Sequence, residues 1–170
     1  MLKIFNDLEP FFSDNYRRIN VREYARIRKI SAPSASSLLL KMSKAGLLKR
    51  EEEKNFIYYF PNKYNRFFID LMRMYWWQQL GKSGLFDFLE IELINPLVVL
   101  FGSFSKAEVK PDSDMDLAIF TDPGKNILLG KFEKKIGRKF QIFIFKDRTD
   151  VKNRALLNNI LNGYIVLGGW

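Results

Sequence analysis

Residues 98–119, VVLFGSFSKAEVKPDSDMDLAI, constrain this chain more than any other stretch. An apolar run, 97–101, reads as a buried strand. Gly102 and Ser103 follow at once, and a short connection leads to Asp112-Ser113-Asp114-Met115-Asp116. A second apolar run, 117–120, reads as the next strand. A tight turn directly after a strand leaves backbone N–H groups free to face an anion. Carboxylates two apart on a strand share a face, because side chains alternate. Asp114 and Asp116 are therefore expected to converge on one hard cation, the donor set of a Mg²⁺ that also holds phosphate oxygens. The alternating acids also open like a calcium loop. That loop needs Gly at its sixth place and Glu at its twelfth, where this chain has Leu117 and Pro123. A solvated Pro-Asp-Ser turn is the plain alternative.

Composition narrows the chemistry. The 170 residues contain no Cys and no His, so thiol nucleophiles, Cys-ligated zinc and imidazole bases are excluded. Carboxylates, amines, hydroxyls and a hard metal remain. A hydrophobic content of 47% supports a packed core. No apolar run approaches the length of about 18 residues that a membrane span needs, and the first residues lack the long apolar region of a leader. A cytoplasmic protein with no membrane partner is the expectation. The net charge is +9. Residues 1–65 carry 13 basic and 7 acidic side chains, an excess of +6, so a polyanion is expected at the N-terminal part.

The segment from residue 96 onward resembles the DNA polymerase β-like nucleotidyltransferases, the minimal nucleotidyltransferases especially. Their pattern of apolar strand, Gly-Ser, Asp-x-Asp and apolar strand is met by Gly102, Ser103, Asp114 and Asp116. The resemblance implies that Gly102 and Ser103 bind the phosphates of a nucleoside triphosphate and that Asp114 and Asp116 hold Mg²⁺. Two positions depart from the family pattern. Ala107 stands where a Gly is usual, and Gln141 stands where the neighbouring strand supplies a third carboxylate. An amide can donate or accept a hydrogen bond, but it neither takes a proton nor adds charge. Asp147 lies six residues on, roughly 20 Å along an extended strand at ~3.3 Å per residue, and cannot substitute without a turn back.

The N-terminal third reads differently. Asn20 followed by Glu23 is a capping box, opening a helix on Val21, Tyr24 and Ala25. Pro33 suits the start of a second helix over 34–45, whose apolar set Ala35, Leu38, Leu39 and Met42 recurs at helical spacing and which Gly46 ends. Strands follow at 47–50 and 56–60, joined by a charged turn over 51–55. Helix, turn, helix and hairpin over 21–60 resemble the winged helices of prokaryotic transcription regulators. By that resemblance Ser34, Ser36, Ser37 and Lys41 face the major groove, and Arg50 and Lys54 sit on the wing. A protein-docking or dimerising winged helix is the alternative, and Glu51-Glu52-Glu53 weighs against a strongly basic wing.

Phe67, Phe68, Leu71, Met72, Tyr75, Trp76 and Leu80 predict a helix ending near Gly81, with Trp76 and Trp77 as packing residues. Further helices are predicted over 85–93, 124–136 and 151–161, with the Gln141 strand before the last. The expected fold is α+β: a winged helix-turn-helix over 1–62, a helical connector over 63–95, and a small mixed-sheet nucleotidyltransferase-like α/β domain over 96–170. The expected function is a DNA-binding transcriptional regulator, antitoxin-like, with weak or lost transfer. Its partners are DNA, a nucleoside triphosphate, a small helical toxin and a second copy of the chain. The alternative is an active Mg²⁺-dependent nucleotidyltransferase that passes a nucleotidyl group to a hydroxyl.

Overall fold

The structure, a computed structural model, describes residues 3–122, 124 and 127–169. Among them are eight α-helices and two sheets, an α+β arrangement. The chain divides into two units, Met1–Met72 with Ala107–Pro111, and Arg73–Lys106 with Asp112–Trp170.

The first unit opens with α1 (Lys3–Phe12), which the sequence reading did not foresee. Phe5, Leu8, Phe11 and Phe12 form one buried face at helical spacing. Pro10 inside the helix, a residue that normally interrupts one, masks the signal. A two-residue strand β1 (Ile19–Asn20) leads into α2 (Val21–Arg28). Asn20 caps α2 as its residue type predicts, its side chain accepting from the Glu23 N–H at 2.9 Å. Helix α3 (Ala32–Lys44) starts two residues earlier than expected, because Ser31 caps it and Pro33 falls in its first turn. Ala35, Leu39 and Met42 are its buried face.

Strands β2 (Leu48–Glu53) and β3 (Phe56–Pro61) form a hairpin, and β1 adds to β3 in the order β1-β3-β2. The acidic run 51–53 lies in β2 rather than in the expected turn. The turn is only Lys54-Asn55, both left-handed (φ 47° and 67°), which suits the twist of a two-residue hairpin. Asn15 and Val109 hold 107–111 to this unit. The Asn15 N–H donates to the Val109 carbonyl at 2.8 Å, and the Asn15 side chain accepts from the Val109 N–H at 2.8 Å.

Helix α4 (Arg66–Ser83) passes through Gly81 instead of stopping there. A Cβ on Gly81 would meet the Phe86 ring at 3.3 Å, so the glycine serves a close approach from α5 (Leu85–Glu92). In the second unit, β4 (Leu97–Phe101), α6 (Ser103–Lys106), β5 (Met115–Phe120), α7 (Gly130–Ile136), β6 (Phe140–Phe145), α8 (Arg154–Leu161) and β7 (Tyr164–Leu167) follow in order. The sheet runs β6-β5-β4-β7. It is mixed, with β5 parallel to β6 and β4 antiparallel to both β5 and β7. The helix expected over 124–136 begins at Gly130, and of its expected start Lys125 and Asn126 lie outside the described residues. The closing helix starts at Arg154 because Asn153 caps it, accepting from the Leu156 N–H at 3.0 Å.

One sheet face carries Leu97, Val99, Phe101, Ala118 and Phe120, with Phe143 and Phe145 packed beside them. Ile160, Leu156 and Leu157 of α8 close that face. Trp76 is buried, edge-on to Phe104 with ring centres 5.0 Å apart. Trp77 is half exposed, and its indole N–H donates to the Val166 carbonyl at 3.0 Å.

Candidate functional site

Strand β4 is buried along its whole length and stops where Gly102 turns the chain at φ +69° into α6. A side chain is disfavoured at this φ. Space forbids one as well, since a Cβ on Gly102 would run into the Asp116 carboxylate. The β4–β5 register pairs Phe101 with Asp116, which sets the acid beside the end of β4. Ser103 is half-buried at the start of α6. The turn is tied by Ser105, whose N–H and Oγ both donate to the Gly102 carbonyl, at 3.2 and 2.9 Å. The N–H of a residue that opens a helix has no carbonyl of that helix to bond.

Asp116 is the second residue of β5, and Asp114 lies just before the strand, close enough for its charge to act on Asp116. Burial first, and the Asp114 carboxylate second, push the Asp116 carboxyl above its ordinary range. A half-buried carboxyl whose proton affinity is raised by a neighbouring carboxylate favours a cation beside it. The parallel β5–β6 register pairs Asp116 with Gln141, and paired residues share a face. Phe101, Asp116 and Gln141 therefore stand abreast on three strands, with Gly102 one residue past Phe101 and Asp114 two residues before Asp116. Gln141 is exposed. Asp147 sits past the end of β6, where it caps a 3-10 turn and accepts from Thr149. Among the described residues no group of three or more carboxylates gathers.

Two hard carboxylate oxygens donors, Asp114 and Asp116, fit a divalent ion that takes its remaining ligands from a polyphosphate. The bare Cα of Gly102 against Asp116 keeps the backbone close to that point. Lys106 was missed from sequence. It stands three residues past Ser103, and its ammonium donates to Asn159 of α8 at 3.1 Å. Its signal is that it is the only cation between Gly102 and Ala107. Ala107 has φ +55°, so the backbone takes the left-handed form at the place where the family pattern has Gly, and the residue is fully buried.

The residues expected at nucleic acid lie in the first unit. Ser34, Ser36, Ser37 and Lys41 are exposed on α3. Ser34 is partly spent on the helix start, its hydroxyl 2.9 Å from that of Ser31. Arg50 in β2 faces Glu52 at 4.0 Å, and Lys54 stands in the hairpin turn. The sequence reading missed Arg18, whose guanidinium meets Glu51 at 3.0 Å and Glu53 at 3.3 Å. It also lies over the rings of Tyr58 and Phe60.

Residues 91–167 match the family model described as Polymerase beta, Nucleotidyltransferase. The matched segment holds β4 to β7 with Gly102, Ser103, Asp114, Asp116 and Gln141 inside it, and is a nucleotidyltransferase-fold domain. No curated protein matches the chain.

Proposed function

We propose that the chain is a DNA-binding transcriptional regulator whose nucleotidyltransferase-fold domain holds a Mg²⁺-associated nucleoside triphosphate and transfers its nucleotidyl group weakly or not at all. The observation that carries this reading is the pairing of Asp116 with Gln141. A carboxylate there would orient or deprotonate an attacking hydroxyl. An amide at the same register keeps the shape and a hydrogen bond without the base. Asp114 and Asp116 would hold the metal, which supplies charge neutralisation at the phosphates when bound. Gly102 admits the backbone to those phosphates, and Ser103 offers the N–H that opens α6.

The DNA-binding part of the reading rests on the first unit. Helix α2, a short turn, helix α3 and the β2–β3 hairpin follow one another as in a winged helix, and α3 exposes Ser34, Ser36, Ser37 and Lys41. Small hydroxyls permit close approach to the groove, and lysine supplies phosphate affinity. A small helical toxin is the protein partner this regulator would have, and the cytoplasm is its compartment.

The second reading, an active transferase, is favoured by the intact Gly102–Asp116 contact. In it an acceptor hydroxyl attacks the α-phosphorus, the bond to pyrophosphate breaks, and the hydroxyl proton leaves to solvent.

Calorimetry with Mg²⁺ and each triphosphate, paired with a transfer assay on labelled nucleotide, separates the two. The regulator reading expects Mg²⁺-dependent binding that Asp114→Asn abolishes, with transfer at background. It further expects Gln141→Asp to create transfer by about 10²-fold, the lower end of what a positioned base contributes. Robust transfer by the parent chain, lost in Asp114→Asn, would establish the enzyme instead. Absence of any metal-dependent nucleotide binding would overturn both.

A further inference from the structure

The four-stranded sheet has two outer edges, β6 and β7, and the structure treats them differently. At β7 the Val166 carbonyl is occupied by the Trp77 indole. At β6 the inward and outward groups can be told apart. The Lys139 carbonyl accepts from the Met115 N–H at 2.8 Å and the Phe145 carbonyl from the Thr121 N–H at 2.9 Å, so odd-numbered residues bond to β5. The backbone groups of Phe140, Ile142, Ile144 and Lys146 therefore face away from the sheet. The first and last of these have their N–H groups capped by side chains. Glu133 accepts from Phe140 at 2.8 Å, and Asp150 accepts from Lys146 at 3.4 Å. Between the caps, among the described residues, Ile142 and Ile144 have no partner for their outward N–H and C=O.

An apolar edge with unpaired backbone groups is a template for another strand. We propose that a second copy of this chain pairs with it, β6 antiparallel to β6 about a two-fold axis at Phe143. The free groups select this register. Ile142 of each copy then lies opposite Ile144 of the other. Each such pair exchanges two N–H···O bonds, so the two pairs make four. A shift by one residue sets outward groups against inward ones and makes no bonds. A shift of the axis to Ile142 or Ile144 brings a capped Phe140 or Lys146 N–H into the ladder.

Side chains agree with the same register. Ile142 meets the second copy's Ile144, itself 37% exposed in one copy. Lys139, its side chain 78% exposed and 3.6 Å from Glu133, comes towards the second copy's exposed Asp147, which lies just past the end of β6. Opposite charges facing one another beside a strand pair favour pairing. The result is one eight-stranded sheet with both Asp116–Gln141 faces on the same side. The pairing is independent of what the nucleotide site does.

Sedimentation equilibrium of the full chain at about 10–100 μM is expected to show twice the mass of 20.1 kDa. Ile144→Pro removes an outward N–H that β5 does not use, and is expected to leave the native circular dichroism and give the monomer mass. The chain has no cysteine, so the register can be read by disulfides. Residues 142 and 144 would face each other as a hydrogen-bonded pair about 5.5 Å apart at Cα, within reach of a disulfide. Oxidising a mixture of Ile142→Cys and Ile144→Cys chains is expected to yield at least tenfold more cross-linked dimer than either chain by itself. Monomer mass at the highest concentration overturns the proposal, as does a dimer whose two cysteine chains cross-link no better mixed than separate. A folded Ile144→Pro chain that still dimerises overturns it too. If that variant does not fold, the cysteine mixture decides.

Discussion

At the scale of single residues, the site rests on one missing side chain. Gly102 combines a left-handed φ of +69° with an Asp116 carboxylate standing where its Cβ would be. Gly102→Ala meets both penalties. The backbone conformation costs about 1–2 kcal/mol, and the collision adds about 1–3 kcal/mol unless Asp116 swings away. Expected outcomes are a fall in Tm of about 4–20 °C, at about 2–4 °C per kcal/mol for a chain of this length, and loss of Mg²⁺-dependent nucleotide binding. A melt and a titration on the same sample check both, and native binding in the variant would show that Asp116 takes no part. The Asp112–Asp116 spacing was legible in sequence because β alternation is local. The place of Gln141 was legible only through the family resemblance, which sets a third carboxylate on the neighbouring strand, and its pairing with Asp116 came from the sheet register. Lys106 was not, since its contact with Asn159 spans 53 positions and nothing in the intervening sequence encodes it.

At the scale of elements, the β2–β3 hairpin carries its own charge balance. Arg18 is shared between Glu51 and Glu53, and Arg50 faces Glu52, all with exposed side chains. Exposed pairs contribute about 0–1 kcal/mol each, so their effect on stability is small. Their effect on a polyanion is not, because each acid cancels a cation that would otherwise meet a phosphate. If the first unit binds DNA as proposed, the double change Glu51→Gln with Glu53→Gln is expected to lower Tm by no more than about 8 °C and to tighten that binding about tenfold at low salt. The gain should shrink as salt rises, as counterion release requires. Filter binding across a salt series checks this, and unchanged DNA affinity would place the hairpin away from the nucleic acid. Helix α2 was readable because its cap, Asn20, lies next to the turn it bonds, and α3 because its apolar residues recur at helical spacing, although its Ser31 cap was read as part of the turn. Helix α1 was hidden by Pro10. Strand β7 was hidden by its brevity, four residues that gain their ladder only from β4.

At the scale of the whole molecule, folding is coupled to protons through Tyr24. Its hydroxyl donates to the Asp7 carbonyl at 2.8 Å, joining α2 to α1. Burial, with the Asp7 charge next, raises its pKa from 10.0 to about 12. The folded state thus keeps a proton that the unfolded chain releases, and stability must fall as pH rises from about 10 to about 12. Denaturant titrations are expected to show that fall in the parent chain and a flatter line in Tyr24→Phe over the same range. An equal slope in the variant would exclude Tyr24 as the source. What sequence determined by itself is everything encoded within a few residues: the caps, the alternating acids, the strand–Gly-Ser turn and the helical apolar faces. These follow from backbone periodicity and local hydrogen bonding, which act at short range. Only the tertiary structure decided that Gly102 touches Asp116, that Arg18 spends its charge on the hairpin acids, and that β6 closes one side of the sheet with two residues unbonded. Those outcomes depend on which distant segments are brought together, and burial of apolar surface drives that assembly without regard to direction or sequence distance.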